Sequence, residues 1–471
     1  MSAIIRPIEG LDSAAKFGRA YRTVWRWHFY AGLFCLPFIL VLSISGAVYL
    51  FKPQIDIYLD RQFDHLTLSG APRALDEQVA AALTANPGAR LEALQFRDDP
   101  ADAARVLLVT PEGRELRVLV RPDTLEILET GDERSRFSNF MGELHGSLLM
   151  GEAGAVAVEL AGAWAIVMVV TGLYLWWPRG RGLAGILYPR LAGGRVFLRD
   201  LHAVTGFWLS ILALFFLISA LPWTKVWGES LKFVRSIGQM GIVKQDWTTG
   251  PASAQAQRLE AFGNAPPAMG EHAGHAGHAP GGVEPGRLTG FDELATRIAP
   301  LALAEPVFIK PPSATAPNWI VVSFAQNRPL RETLEFDPKS LEKVRHERFE
   351  DLLLTDRIIK IGIAAHEGQL FGWFNQLLGL VTAIGYLALV ITSTLMWWRR
   401  RPHGTLGAPP ALAQAPRLAA VVVSLVVALG IFLPTLGVSL VLVLMVESAI
   451  RRFAPGASRW LGLAVTRRAT T

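Results

Sequence analysis

The chain of 471 residues is 51% hydrophobic and only 18% charged, with a formal net charge of +6 and a mean hydropathy of +0.31. Soluble domains carry roughly a quarter charged residues, so this composition excludes an ordinary soluble enzyme and points to a chain that lives in a lipid bilayer. The basic residues gather at the ends of the apolar runs, which marks them as a topology signal and excludes nucleic acid as the partner they serve.

Residues 1–24 form a basic N-terminal segment containing Lys16, Arg19 and Arg22, and a first span is expected over 25–51. A helix crosses a bilayer with ~20 apolar residues. This run is longer than the apolar region of a cleavable signal, so it is read as a retained span. Residues 52–150 form an outer segment. Its pattern predicts a helix over Leu75–Leu83, ended by Pro87-Gly88, then strands over Leu91–Phe96, Val106–Thr110, Leu116–Arg121 and Leu125–Leu128. Spans two and three are expected over 155–177 and 200–221, joined by the loop 178–199 with Arg179, Arg181, Arg190, Arg195 and Arg199.

A second outer segment covers 222–365. It predicts a helix over Gly290–Ile298 and strands over Val307–Ile309, Trp319–Ser323, Glu332–Phe336 and Leu341–Val344, with a linker rich in Ala, Gly and Pro at 250–287. Span four is expected over 370–398, followed by Arg399, Arg400 and Arg401 in the loop 399–417. The apolar run 418–450 is interrupted by Leu433-Pro434-Thr435-Leu436-Gly437 and reads as a tight hairpin of two spans, with one kinked helix as the alternative; an Arg-rich tail, 451–471, follows. If the spans alternate, every Arg cluster falls on one side, the cytoplasm, and the two outer segments face the periplasm of a bacterial inner membrane. The expected fold is an all-α membrane bundle, a duplicated four-helix core plus a C-terminal hairpin, carrying two α+β modules outside.

The duplication is read from fixed offsets. His28 is followed at +4 by Gly32 and at +17 by Ser45, and His202 by Gly206 and Ser219 at the same offsets. His145 is followed at +6 by Gly151 and at +31 and +32 by Trp176 and Trp177; His366 is followed likewise by Gly372, Trp397 and Trp398. His28 and His202 thus fall near the cytoplasmic ends of spans one and three, and His145 and His366 near the outer ends of spans two and four. Imidazoles at membrane depth are costly and mark function. Facing neutral imidazoles at one level are what a six-coordinate haem iron needs, so the pairs His28 with His202 and His145 with His366 predict two haems, one per leaflet. A lone histidine at a span end reads more simply as an interfacial residue; recurrence at fixed offsets argues against that here. Cys35 is the single cysteine, so a thioether attachment motif is absent and the haems are b-type.

The competing chemistries lack residues. Zinc wants a third or fourth donor nearby. A proton relay has Glu159 as its main candidate, but the repeat places Leu380 at the corresponding position. Arg26 and Arg199 are candidate propionate partners for the inner pair, Arg357 and Lys360 for the outer, though surface and topology roles suit them equally. Gly32, Gly46, Gly162, Gly172 and Gly206 would admit a flat macrocycle or, as readily, close helix packing. The linker carries His272, His275 and His278, a candidate metal-binding run or an incidental one. His65, His346 and His403 read as unpaired surface residues. Neither a dinucleotide fingerprint nor a phosphate loop is present, so any electrons come from a quinol or a cytoplasmic reductase.

Trp25-Arg26-Trp27-His28-Phe29-Tyr30-Ala31-Gly32, Leu201-His202-Ala203-Val204-Thr205-Gly206 and the two His…Trp-Trp hairpins resemble PepSY-associated membrane proteins, over roughly residues 15–405. Val120-Arg121-Pro122-Asp123-Thr124-Leu125-Glu126 and Phe336-Asp337-Pro338-Lys339-Ser340-Leu341-Glu342 resemble PepSY modules. The resemblance implies bis-histidine ligation of two b-type haems by His28, His202, His145 and His366, and electron transfer to a periplasmic ferric siderophore. It names no catalytic residue. The hairpin after 417 and the His-rich linker depart from the pattern and leave copper or free iron as alternative substrates. The other class of function is a non-catalytic membrane protein whose PepSY modules bind or restrain a partner.

Overall fold

The computed structural model describes residues 9–177, 183–237, 289–313, 316–409, 411 and 420–463. The chain forms α1 (Glu9–Tyr49), α2 (Lys52–Asp60), α3 (Leu75–Ala85), β1 (Arg90–Phe96), β2 (Ala104–Val109), β3 (Glu115–Val120), β4 (Ile127–Asp132), α4 (Phe137–Ser147), α5 (Gly151–Trp176), α6 (Gly194–Ala220) and α7 (Lys225–Ile237). There follow α8 (Phe291–Ile298), β5 (Val307–Lys310), β6 (Trp319–Ser323), β7 (Thr333–Phe336), β8 (Lys343–Glu347), α9 (Leu354–His366), α10 (Trp373–Arg400), α11 (Ala420–Phe432), α12 (Pro434–Phe453) and α13 (Pro455–Trp460). Two compact units result: Met1–Gly46 with His145–Thr249 and Leu380–Thr471, and Ala47–Leu144 with Gly250–Gly379.

Among the described residues four helices are long and apolar enough to cross a membrane: Gly18–Tyr49, Gly151–Trp176, Gly194–Trp223 and Trp373–Arg400. In the first unit they pack in a ring. The His28 ring on α1 meets Thr171 on α5. A strong α5–α6 interface follows, and Gly385 on α10 lets Leu209 of α6 come so close that an added Cβ would sit 2.2 Å from it. Arg400 closes the ring by lying over Trp25 and Phe29 of α1. The first tryptophan of each Trp-Trp pair has a structural duty: Trp176 Nε1 donates to the Ile186 carbonyl at 3.0 Å and Trp397 Nε1 to Leu406 at 2.8 Å, each tying down the chain that leaves its helix.

The 418–450 run is two helices, broken at Leu433-Pro434. Proline lacks the N–H an unbroken helix needs, and Gly430 and Gly437 allow backbone contact at the turn, where a Cβ on Gly437 would sit 2.5 Å from the Gly430 carbonyl oxygen. Leu433 and Leu436 are buried with Ala163, Ile166 and Leu221, which seats the hairpin on α5 and α6. Glu159 belongs to this joint. Its carboxylate accepts from the Val226 and Trp227 amides at 2.7 and 3.2 Å, capping the N-terminus of α7. That gives the buried carboxylate a structural partner, as an orphan helix terminus requires.

The second unit corrects one expectation. The two α+β segments do not form separate sheets: their strands make one antiparallel sheet of eight, in the order β4-β3-β2-β1-β5-β6-β7-β8. The halves join where Leu94, Gln95 and Phe96 pair with Ile309, Phe308 and Val307. Both outermost strands begin two residues later than predicted, because a turn with a left-handed leucine precedes each. Leu125 has φ +63° and Leu341 φ +53°, a conformation costing about 1 kcal/mol. Leu341 is buried in the core and Leu125 packs against it, which offsets that cost.

Side chains alternate across the sheet. Val106, Leu108, Val118, Val120, Ile309, Trp319, Val321 and Leu334 face α3 and α8 and form one core with Val79, Phe291 and Leu294. The two helices exchange caps. Asp76 of α3 accepts from the Gly290 and Phe291 amides of α8, and Asp292 of α8 accepts from the Leu75 and Asp76 amides of α3. On the opposite face Arg105 and Arg117 are buried against α2 and its extension. Arg117 pairs with Asp60 at 2.8 Å, Arg105 with Asp64 at 2.6 Å, and Arg136 with both Asp60 and Asp56 at 3.0 and 3.3 Å.

Glu115 starts β3 on this charged face. Burial, then the nearby Glu92 and Glu133 carboxylates, push its pKa up to about 7. The folded protein therefore holds a proton that the unfolded chain releases above the ordinary carboxylate value of 4.5. Stability contributed here is full below that value and falls as pH rises toward 7. Glu115→Gln is expected to raise stability at pH 8 by on the order of 2 kcal/mol and leave it little changed at pH 4.5. Thermal unfolding of the detergent-solubilised chain at both pH values checks this; equal gains at both would discount the proton.

Candidate functional site

The four repeat-related histidines fall in two settings. His28 on α1 and His202 on α6 come from helices that are not neighbours in the ring, and the two imidazoles lie within electrostatic reach of each other. Each is densely surrounded by protein yet keeps an accessible edge. His145 lies near the end of α4 and packs on α1. His366 is the last residue of α9 and belongs to the second unit.

Whether these rings suit a haem iron turns on which nitrogen carries the lone pair, and the hydrogen bonds decide it. His28 Nδ1 lies 3.0 Å from Thr171 Oγ1, and His202 Nδ1 lies 3.0 Å from Thr392 Oγ1. Each threonine hydroxyl already donates to its own helix, Thr171 to the Val167 carbonyl and Thr392 to Ala388, both at 2.7 Å. Its single proton is committed, so Oγ1 accepts and the imidazole Nδ1 donates. His145 reaches the same state by another route: its Nδ1 lies 3.0 Å from the Leu42 carbonyl, which can only accept, and 3.2 Å from Ser45 Oγ. All three neutral rings thus carry hydrogen on Nδ1 and the lone pair on Nε2, the arrangement of a metal-ligating histidine whose second nitrogen is held by an outer partner. Burial lowers the pKa of His145, which favours its neutral form. The donor set fits a haem iron.

Two of the five glycines singled out from the sequence touch these rings. A Cβ on Gly46 would lie 2.8 Å from His145 Cε1, and one on Gly172 would lie 3.2 Å from His28 Cε1. A side chain at either would push the ring aside. Gly162 and Gly206 instead meet leucines at ordinary distance, and a Cβ on Gly32 meets nothing within 4 Å.

Three of the four expected propionate partners have contacts of their own. Arg26 donates to the Pro409 and Gly462 carbonyls and to Tyr30, binding the C-terminal segment to α1. Arg199 pairs with Asp200 at 2.6 Å. Arg357 lies over the Phe349 ring. Two histidines read as unpaired are paired: His346 with Glu332 and His65 with Asp99, each at 2.6 Å. Asp99 raises the His65 pKa. His65, Asp99 and Asp102 bring potential metal ligands together, but Arg97 occupies Asp102 at 2.6 Å, so the group is a braced ion-pair cluster. His272, His275 and His278 lie outside the described residues.

Sequence reasoning missed Thr171 and Thr392. The signal was present: each lies 26 residues after its histidine, His145 or His366, and five before its Trp-Trp pair.

Membrane-spanning helices that present buried histidines, joined to an antiparallel sheet, define the class. The family described as the PepSY-associated TM region matches residues 25–400, and the chain belongs to that family. No curated protein matches it. The hairpin α11–α12 lies beyond the matched region.

Proposed function

We propose that the chain is an inner-membrane electron-transfer protein that holds two b-type haems and reduces ferric siderophores in the periplasm. The observation that carries this reading is the set of Nδ1 contacts: His28, His202 and His145 each place Nδ1 3.0 Å from Thr171 Oγ1, Thr392 Oγ1 or the Leu42 carbonyl, an arrangement that leaves Nε2 for a metal. Bound haem supplies one-electron chemistry.

His28 and His202 would hold the inner haem, and the matching offsets assign His145 and His366 to the outer one. Thr171, Thr392 and Leu42 fix the rings. The Arg clusters set the inner pair toward the cytoplasm, where a quinol or a cytoplasmic reductase delivers the electron. One electron passed outward converts siderophore-bound Fe(III) to Fe(II), which the siderophore holds weakly, and the iron is released. The sheet-bearing segments follow and precede the spans on the periplasmic side, and are the surfaces against which the ferric complex docks.

The test is anaerobic stopped-flow absorbance of the purified, dithionite-reduced protein mixed with ferric siderophores or Cu(II). The expected result is a Soret band that shifts as ferric complexes reoxidise the haem. A protein from haem-replete cells without a Soret band supports the non-catalytic, partner-binding class instead. Reoxidation by Cu(II) alone, lost when His272, His275 and His278 are replaced by alanine, reassigns the substrate to copper.

A further inference from the structure

We propose that Thr171 and Thr392 are positioning residues for the inner haem, fixing the tautomer and ring plane of His28 and His202. This rests on the reading of those histidines as axial ligands.

A threonine inside an apolar helix satisfies its hydroxyl by bonding back to the preceding turn. Thr171 and Thr392 both do so, to residues 167 and 388, and need nothing more for their own solvation. Each nevertheless presents its free lone pair to an imidazole, at 3.0 Å, on a different helix. The imidazole gains what the threonine does not require. The Met168 and Leu389 carbonyls also hydrogen-bond to these rings, so each threonine adds a second acceptor; losing that bond costs about 1 kcal/mol and weakens the preference for the tautomer that leaves Nε2 free for iron.

The contact also limits ring rotation about Cβ–Cγ, since each ring is held at one nitrogen by a side chain that is itself fixed to its helix. The hydroxyl raises the basicity of Nε2. It therefore favours the ferric over the ferrous haem and lowers the inner potential.

Thr→Val keeps the shape and removes the acceptor; Thr→Ser keeps the hydroxyl. In the full-length protein T171V and T392V should weaken inner-haem retention about 10-fold, raise the potential of that haem and alter its low-spin electron paramagnetic resonance signal. The outer haem should be unchanged, and T171S and T392S should resemble wild type. Nitrogen-15 histidine spectra of haem-free protein give a second reading: His28 and His202 protonated at Nδ1 in wild type, and mixed tautomers in the valine variants.

Valine variants with unchanged potential, resonance signal and tautomers would overturn the proposal, as would serine variants that behave like valine. If His28→Ala and His202→Ala variants keep both haems, the ligand reading is refuted, whatever the threonine variants do.

Discussion

Replacing His28 or His202 with alanine is expected to halve the haem bound per chain, and replacing His145 or His366 to remove the other half. A six-coordinate low-spin haem depends on both axial imidazoles, so either member of a pair suffices to break its site. The pyridine haemochrome assay gives the stoichiometry, and the residual spectrum identifies which haem remains. His28→Ala and His202→Ala should leave the same residual spectrum, different from that of the other two variants. The outer-pair variants should lose reoxidation by ferric siderophore. The inner-pair variants should keep it after chemical reduction and lose it with the physiological donor. Unchanged haem content in all four variants would sink the two-haem reading.

The largest stability loss is expected at Asp60. This carboxylate accepts from Arg117 at 2.8 Å and Arg136 at 3.0 Å, and lies 3.8 Å from Arg105. Arg105 is 3% exposed and its Nε and Nη1 already lack hydrogen-bond partners. Removing one partner of a buried ion pair costs about 3–5 kcal/mol because the opposite charge stays buried. Asp60→Asn should therefore lower the unfolding temperature of the solubilised protein by roughly 10 °C. On an Arg117→Gln background the same substitution should cost much less. Equal losses on both backgrounds would show that Asp60 acts without Arg117.

The contrast between local and long-range information explains what could be read beforehand. The four spans were legible because each is a long apolar run, and six of the eight strands were placed within a residue or two because their alternation and turns are local. The outermost strands shifted because a leucine in the left-handed region is not a turn signal that composition supplies. The β1–β5 join was hidden for another reason. Neither strand's sequence states which edge it offers, and the pairing of Leu94 with Ile309 crosses two spans. The histidines stand out in the sequence by their offsets. Thr171 and Thr392 follow the same repeat, but a threonine in a membrane helix draws no attention until its hydroxyl proton is accounted for. Glu159 was weighed as a proton carrier because nothing in the sequence places the start of α7 against it.

The single sheet constrains how the chain can be assembled. After β4 is made, β1 still has one bare edge, and the start of α3 still lacks the Asp292 carboxylate. Both partners arrive only after α5 and α6 have been synthesised and the chain has reached residue 307. During that interval the half-sheet is an open template of the kind that pairs with foreign strands. The charged face anchored by Asp60 is complete by residue 136, so the early half has its own brace while its edge waits. Synthesis stalled between 237 and 291 leaves a nascent protein whose exposed β1 edge is a target for chaperones and proteases.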